Sequence, residues 1–191
     1  MATTRTRTKR TRRRSGNGAR TVERVRADLP GDVLEAYAGV RAGAVVEPSF
    51  VLDPFAMREV GGGVDMLLAR PSGLDTRGRL EHHPTPDRDA IVPVLRIGDL
   101  AVLLAGAGGR VAGARLEAEG FLYASHFPWD GYHGVRVPGT SRRWRVDRVQ
   151  RRDIVGADTA ELRVVRTVLD DVPPGTEVDD RAVVELVLRR P

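Results

Sequence analysis

The sequence predicts a mainly β fold: a small β-barrel, with a β-sandwich as the alternative, behind a disordered basic N-terminal arm and one short helix. Three observations carry this. Short apolar, β-branched segments recur between turns rich in Gly, Pro and Asp, as in small all-β domains. No βαβ rhythm and no long helical period interrupts them. Apolar residues make up 41% of the 191 positions, enough for a core, while aromatics are only 5%, so Val, Leu and Ala must do most of the packing. The chain divides into an arm (1–20), a short helical segment (21–43) and a single β-barrel-like domain (44–191).

The arm, MATTRTRTKRTRRRSGNGAR, holds no aromatic and no branched aliphatic residue. Dense like charge without apolar surface cannot offset the entropy of ordering, so a disordered segment is expected. In 21–43, Val22, Val25, Leu29 and Val33 recur at helical spacing, broken by Pro30-Gly31. Asp32 could cap a turn from Val33 to Val40, with Gly43 ending it. Segments 44–53 and 64–69 read as strands around Gly61-Gly62-Gly63. Residues 71–90 carry Pro, Gly and Asp among charged side chains and read as a long loop. Strands follow at 91–97 and 99–105, turning at Gly98-Asp99, and the second is apolar at almost every position. A strand at 114–126, a loop at 127–141 and a return strand at 142–150 form a central hairpin. The last two strands, 161–169 and 181–189, are joined around Pro173-Pro174-Gly175. In the final strand Ala182, Val184, Leu186 and Leu188 alternate with Arg181, Glu185 and Arg189, the period of a half-buried strand.

No apolar run reaches the length of a membrane span. No apolar segment follows the basic N-terminus, so no secretory signal is expected. Cysteine is absent, which excludes disulfides and thiolate metal sites and fits a cytoplasmic protein. One lysine stands against thirty arginines. With so much Ala, Gly and Val, this points to the codon usage of a GC-rich, actinobacterial genome.

The net charge of +5 is unevenly placed. Residues 1–26 carry ten basic groups against Glu23, which leaves the rest of the chain at −4. Within that acidic body, residues 110–152 hold nine arginines against Glu117, Glu119, Asp130 and Asp147. A basic patch on an acidic body is the footprint of a localised anion site. Six of the nine aromatic residues fall in the same region: Phe121, Tyr123, Phe127, Trp129, Tyr132 and Trp144. Rings stack on unpaired bases and guanidinium groups neutralise phosphates. Those six are the candidate stacking residues. Arg136, Arg142, Arg143 and Arg145, with Arg10, Arg12, Arg13 and Arg14 of the arm, are the candidate phosphate contacts. The same rings could instead build a core, because core aromatics also cluster.

On a strand at 115–127, Leu116, Ala118, Gly120 and Leu122 share one face, and Glu117, Glu119, Phe121 and Tyr123 the other. The return strand sets Trp144 and Val146 opposite Arg143, Arg145 and Asp147. The text Gly113-Ala-Arg-Leu116-Glu-Ala-Glu-Gly120-Phe-Leu122, then Asp130-Gly131 and a strand from Arg142 to Val149, resembles the OB-fold of bacterial single-stranded DNA-binding proteins. The resemblance spans residues 113–150. It implies an OB-like barrel in which Tyr123, Phe127, Trp129 and Trp144 stack on bases. Two features depart from the family. Its N-terminal pattern is missing from residues 44–105, and Leu188-Arg189-Arg190-Pro191 replaces its acidic tip.

Other chemistry is thinly represented. His126, Asp130 and His133 lie within eight residues, but their spacing matches no common metal site. Glycines 61–63 and 106–109 lack the P-loop Lys-Ser/Thr and any dinucleotide fingerprint. Asp170-Asp171 and Asp179-Asp180 flank a turn, where Asp is common anyway. No catalytic constellation is legible, and no cofactor or metal is expected. The leading expectation is a nucleic-acid-binding protein favouring single strands. The competing one is an assembly protein of a phage or contractile particle, with the aromatic loop as subunit interface and a homo-oligomer or neighbouring protein as partner. No membrane partner is expected.

Overall fold

Among the described residues eleven strands join in one sheet system, and five of them close on themselves. The computed structural model describes residues 21–71, 73–85, 91–125, 137–140, 142–156, 162–174 and 182–191. Strands β1 (Arg24–Leu29), β2 (Val45–Val46), β3 (Ser49–Glu59), β4 (Met66–Arg70), β5 (Gly73–Pro84) and β6 (Ile91–Ile97) make the first half. The second half is β7 (Leu100–Leu104), β8 (Arg115–Ser125), β9 (Trp144–Val155), β10 (Arg163–Leu169) and β11 (Ala182–Arg189). The barrel runs β8-β3-β7-β6-β5 and back to β8. Every pair in it is antiparallel except β3 with β7. The expected barrel is therefore present, closed rather than split into a sandwich.

Outside the barrel a second sheet runs β10-β9-β11-β1 and joins β8 through the parallel pair Asp28–Tyr123. β5 pairs with β8 up to Gly120, and β1 takes its place at Tyr123. The exchange needs a close crossing. A Cβ on Gly120 would strike the Asp53 carbonyl and lie 2.7 Å from Pro54 Cα, and β3 shifts register at that point. Only glycine fits.

The core follows from strict alternation. Leu116, Ala118, Leu122 and Ala124 of β8 point inward with Phe50, Leu52, Leu80, Leu95 and Leu104. Val25, Ala27 and Leu29 of β1, Val146 and Val149 of β9, and Leu186 and Leu188 of β11 extend the same cluster beneath the second sheet. One continuous apolar core thus underlies both sheets.

Two expectations are corrected. Residues 24–29 form a strand, and among the described residues helix is confined to α1 (Gly31–Leu34) with a 3-10 turn at Glu35–Tyr37. Val25 and Leu29 are four apart, an even number, so they lie on one face of a strand as readily as of a helix. The buried Ala27 between them shows which period holds. The supposed loop 71–90 contains the twelve-residue strand β5. Its inward positions are Leu74, Thr76, Gly78 and Leu80, so only two of the four are aliphatic. A Cβ on Gly78 would overlap the Arg96 carbonyl, so the glycine that suggests a loop permits close strand packing.

Candidate nucleic-acid interface

Side chains of directly paired residues project from the same face of a sheet. Register therefore fixes what the outer face of the second sheet presents. Arg24 pairs with Arg189, and Arg189 with Arg145. Three arginines thus stand side by side across β1, β11 and β9. One step along, Arg26 pairs with Val187 and Val187 with Arg148. A register shift near Val187 and Leu188 brings Arg148 onto this face although Arg145 and Arg148 are an odd number apart. Arg189 is held 2.6 Å from Asp147. Arg24, Arg145 and Arg148 are exposed and form no ion pair with any described residue.

Further along, the same face is buried and mixed in charge. Asp28 pairs with Glu185 and Glu185 with Gln150. Glu185, whose side chain is 0% exposed, lies 2.8 Å from Arg166 Nε, 3.4 Å from Arg152 Nε and 3.6 Å from Arg26 Nε. Gln150 donates to it at 2.7 Å, and Arg152 donates to Asp28 at 2.7 Å. Burial pushes the Asp28 carboxyl up to about 6, against the opposing pull of Arg152. The turn between β4 and β5 closes over this cluster. Arg26 donates to the carbonyls of Arg70 and Gly73, and Arg166 to that of Pro71. Three arginines thus neutralise buried acid, and two of them, Arg26 and Arg166, also clamp the turn.

Beside the cluster Phe55, Phe121 and Tyr123 form a row, with centroids 5.9 Å and 6.5 Å apart. Arg152 sits 5.3 Å over the Phe121 ring. Phe121 and Tyr123 are half-buried, and burial raises the Tyr123 hydroxyl above its ordinary value. Phe55 is 65% exposed.

Trp144 has no place in such an interface. It is 0% exposed, meets Phe50 edge-on at 5.8 Å and is capped by Arg190 at 5.2 Å. A buried ring offers no face to a base, so its expected stacking role is corrected to core packing. The expected patch at 110–152 is also largely neutralised. Arg115 binds Asp65, Arg142 donates to Asp99 at 2.9 Å, Arg151 to Asp153 at 2.6 Å, and Arg152 is buried. Burial opposes the charge on Asp99, but the Val22 N–H with Arg190 and Arg142 holds its carboxyl below the ordinary value. Arg143 is exposed, 3.5 Å from Glu47. Of that patch, Arg145 and Arg148 are both exposed and unpaired among the described residues. Phe127, Trp129, Tyr132, Arg136, Arg10, Arg12, Arg13 and Arg14, and the histidines at 126 and 133, lie outside the described residues.

Sequence reasoning missed Phe55 and the buried cluster, and counted Arg24 and Arg148 among the basic residues without singling them out as phosphate contacts. Phe55 stands alone in sequence, and Arg24 belonged to a supposed helix. The period-two run Arg24-Val25-Arg26-Ala27-Asp28-Leu29 was the available signal. Among the described residues no group of three His, Asp or Glu could hold a metal ion, and no helix is long and apolar enough to cross a membrane. No protein-family model matches the chain, and no curated protein or solved structure is significantly similar to it.

Proposed function

We propose that this protein binds nucleic acid, preferring single strands, through the arginine face of its second sheet and its basic N-terminal segment. The observation that carries the reading is the row Arg24–Arg189–Arg145 with Arg148 beside it. Like charges directly opposite on neighbouring strands destabilise a sheet. Asp147 offsets Arg189, but Arg24, Arg145 and Arg148 have no counter-charge among the described residues, which makes an anion the fitting ligand. Phosphates of a polynucleotide supply anions at regular spacing. Thr21, where the described chain begins, is three residues from Arg24, so segment 1–20 with its eight cations is tethered next to this face. The aromatic row beside β1 favours single strands, whose bases are free to stack. The OB-like resemblance at 113–150 points the same way.

The test is a fluorescence-anisotropy titration of the full chain with labelled single- and double-stranded oligonucleotides of equal length. Tighter binding to the single strand is expected. Equal affinity for both would remove the preference, and no salt-dependent binding would sink the function.

A second reading has its own observation. β10 is an edge strand, and Leu162, Val165 and Val168 are exposed on or next to it, with Ile154 and Val155 on β9. An open apolar edge is a template for another strand. An assembly protein would use it to join copies. A mass in light scattering that rises with concentration, and is reset by Val168→Lys, is its signature.

A further inference from the structure

On the other side of the β4–β5 turn lies a cavity of about 360 Å³. Phe55 and Pro71 supply apolar wall, and Arg70, Asp75 and Glu119 supply charge. Asp75 and Glu119 are directly opposed across β5 and β8. That arrangement of like charges costs stability unless a cation lies between or near them. Arg70 serves Asp75, with its Nε 2.6 Å from the carboxylate. Glu119 is exposed and has no ion pair among the described residues. The lining thus holds two carboxylates against the single guanidinium of Arg70, which bonds Asp75 and feels Glu119 only through space, and it carries an exposed aromatic face at its rim. A phenyl face and a free carboxylate together recognise a guanidinium group: the ring meets the cation's flat side and the carboxylate accepts its N–H groups.

We propose that this cavity is a guanidinium site, and that its occupant is an arginine of the chain's own segment 1–20. Charge complementarity is one reason. The segment carries eight of the chain's thirty-one cations and no acid, and the body it is joined to is acidic. Reach is the other. Arg26 donates to the carbonyls of Arg70 and Gly73, so β1 runs beside the cavity wall. Thr21 is five residues from Arg26, about 17 Å of extended chain, and twenty residues precede it, spanning up to about 66 Å. The Arg-Thr repeat at Arg5, Arg7 and Arg10-Thr11-Arg12 offers several cations at distances that reach the rim. An arginine seated there is withheld from any external anion, so the cavity gives the body a hold on its own basic segment. This inference does not depend on nucleic acid being the ligand of the arginine face.

The test uses the full chain with p-benzoylphenylalanine in place of Phe55, an exposed position that keeps an aromatic ring. Irradiation at low protein concentration and peptide mapping should join position 55 to residues 1–20 of the same molecule. Adding Glu119→Gln should lower the yield about two- to fivefold, the range for one exposed ion pair. Raising salt should lower it as well. Crosslinks that join two chains, that fall outside residues 1–20, or that ignore both Glu119→Gln and salt would overturn the proposal. So would their absence. Phe55→Leu, read by circular dichroism, shows separately whether the position tolerates change.

Discussion

Replacing Glu185 by Gln should destabilise the protein more than any surface change of the same size. Glu185 is fully enclosed and is the common acceptor for Arg26, Arg152 and Arg166. Neutralising it leaves three guanidinium groups facing one another with only Asp28 as counter-charge. Removing one partner from a buried ion cluster costs about 3–5 kcal/mol, because the charges left behind are neither solvated nor compensated. No discount for solvent applies at a side chain that is 0% exposed. In a chain of this length each kcal/mol lowers Tm by roughly 2–4 °C, so a fall of about 6–20 °C is expected. Differential scanning calorimetry reads it, with urea unfolding giving the free energy. The comparison is Arg58→Ala, which breaks the exposed pair with Glu117, leaves Glu117 its second partner Arg77, and should shift Tm no more than an ordinary surface change. If Glu185→Gln cost as little as Arg58→Ala, the cluster would not be the buried, interdependent unit described above. The β4–β5 turn would then be held by something else.

Three further outcomes are expected. Trp144→Ala should cost about 3–5 kcal/mol in urea unfolding, since it empties the core beside Phe50, yet leave oligonucleotide affinity of the folded protein unchanged. The Asp28 carboxyl titrates near 6 when folded, above its ordinary value of 3.8. Its contribution is therefore fully present below pH 4 and lost as pH rises through 6, a swing of roughly 3 kcal/mol. Asp28→Asn should flatten the urea midpoint across that window, and an unaltered slope would show that another group titrates. Gly120→Ala should prevent the β3–β8 crossing and yield little folded protein, whereas a fully stable variant would mean the crossing relaxes easily.

Much of the barrel was legible, and the reasons for the failures are specific. β6, β7, β8 and β11 announce themselves because aliphatic residues sit at alternate or consecutive positions. β5 hides because its inward face uses Thr76 and Gly78, and its outward face is charged. β1 hides because Val25 and Leu29 satisfy two periods at once. The candidate site was legible only in its chemistry. Arginines and aromatics do meet, but through pairs such as Arg24–Arg189 and Asp28–Tyr123, 165 and 95 residues apart in sequence, which no local pattern records. Trp144 misled because its ring was weighed by type rather than by face: alternation already put it with Val146 opposite Arg143, Arg145 and Asp147, and that apolar side is the core side. Arg145 and Arg148 share a face only through a register shift, which period-two counting cannot anticipate.

The central claim is that the arginine face holds phosphates. The most direct measurement is the salt dependence of single-strand affinity for the full chain and for Arg24→Ser/Arg145→Ser/Arg148→Ser. Each phosphate contact on a single strand contributes about 0.7 to the slope of log K against log salt, so losing three should lower it by about 2. That fall, with an unchanged Tm, is the predicted result. An identical slope in both proteins would contradict the account and leave the face without a polyanionic ligand.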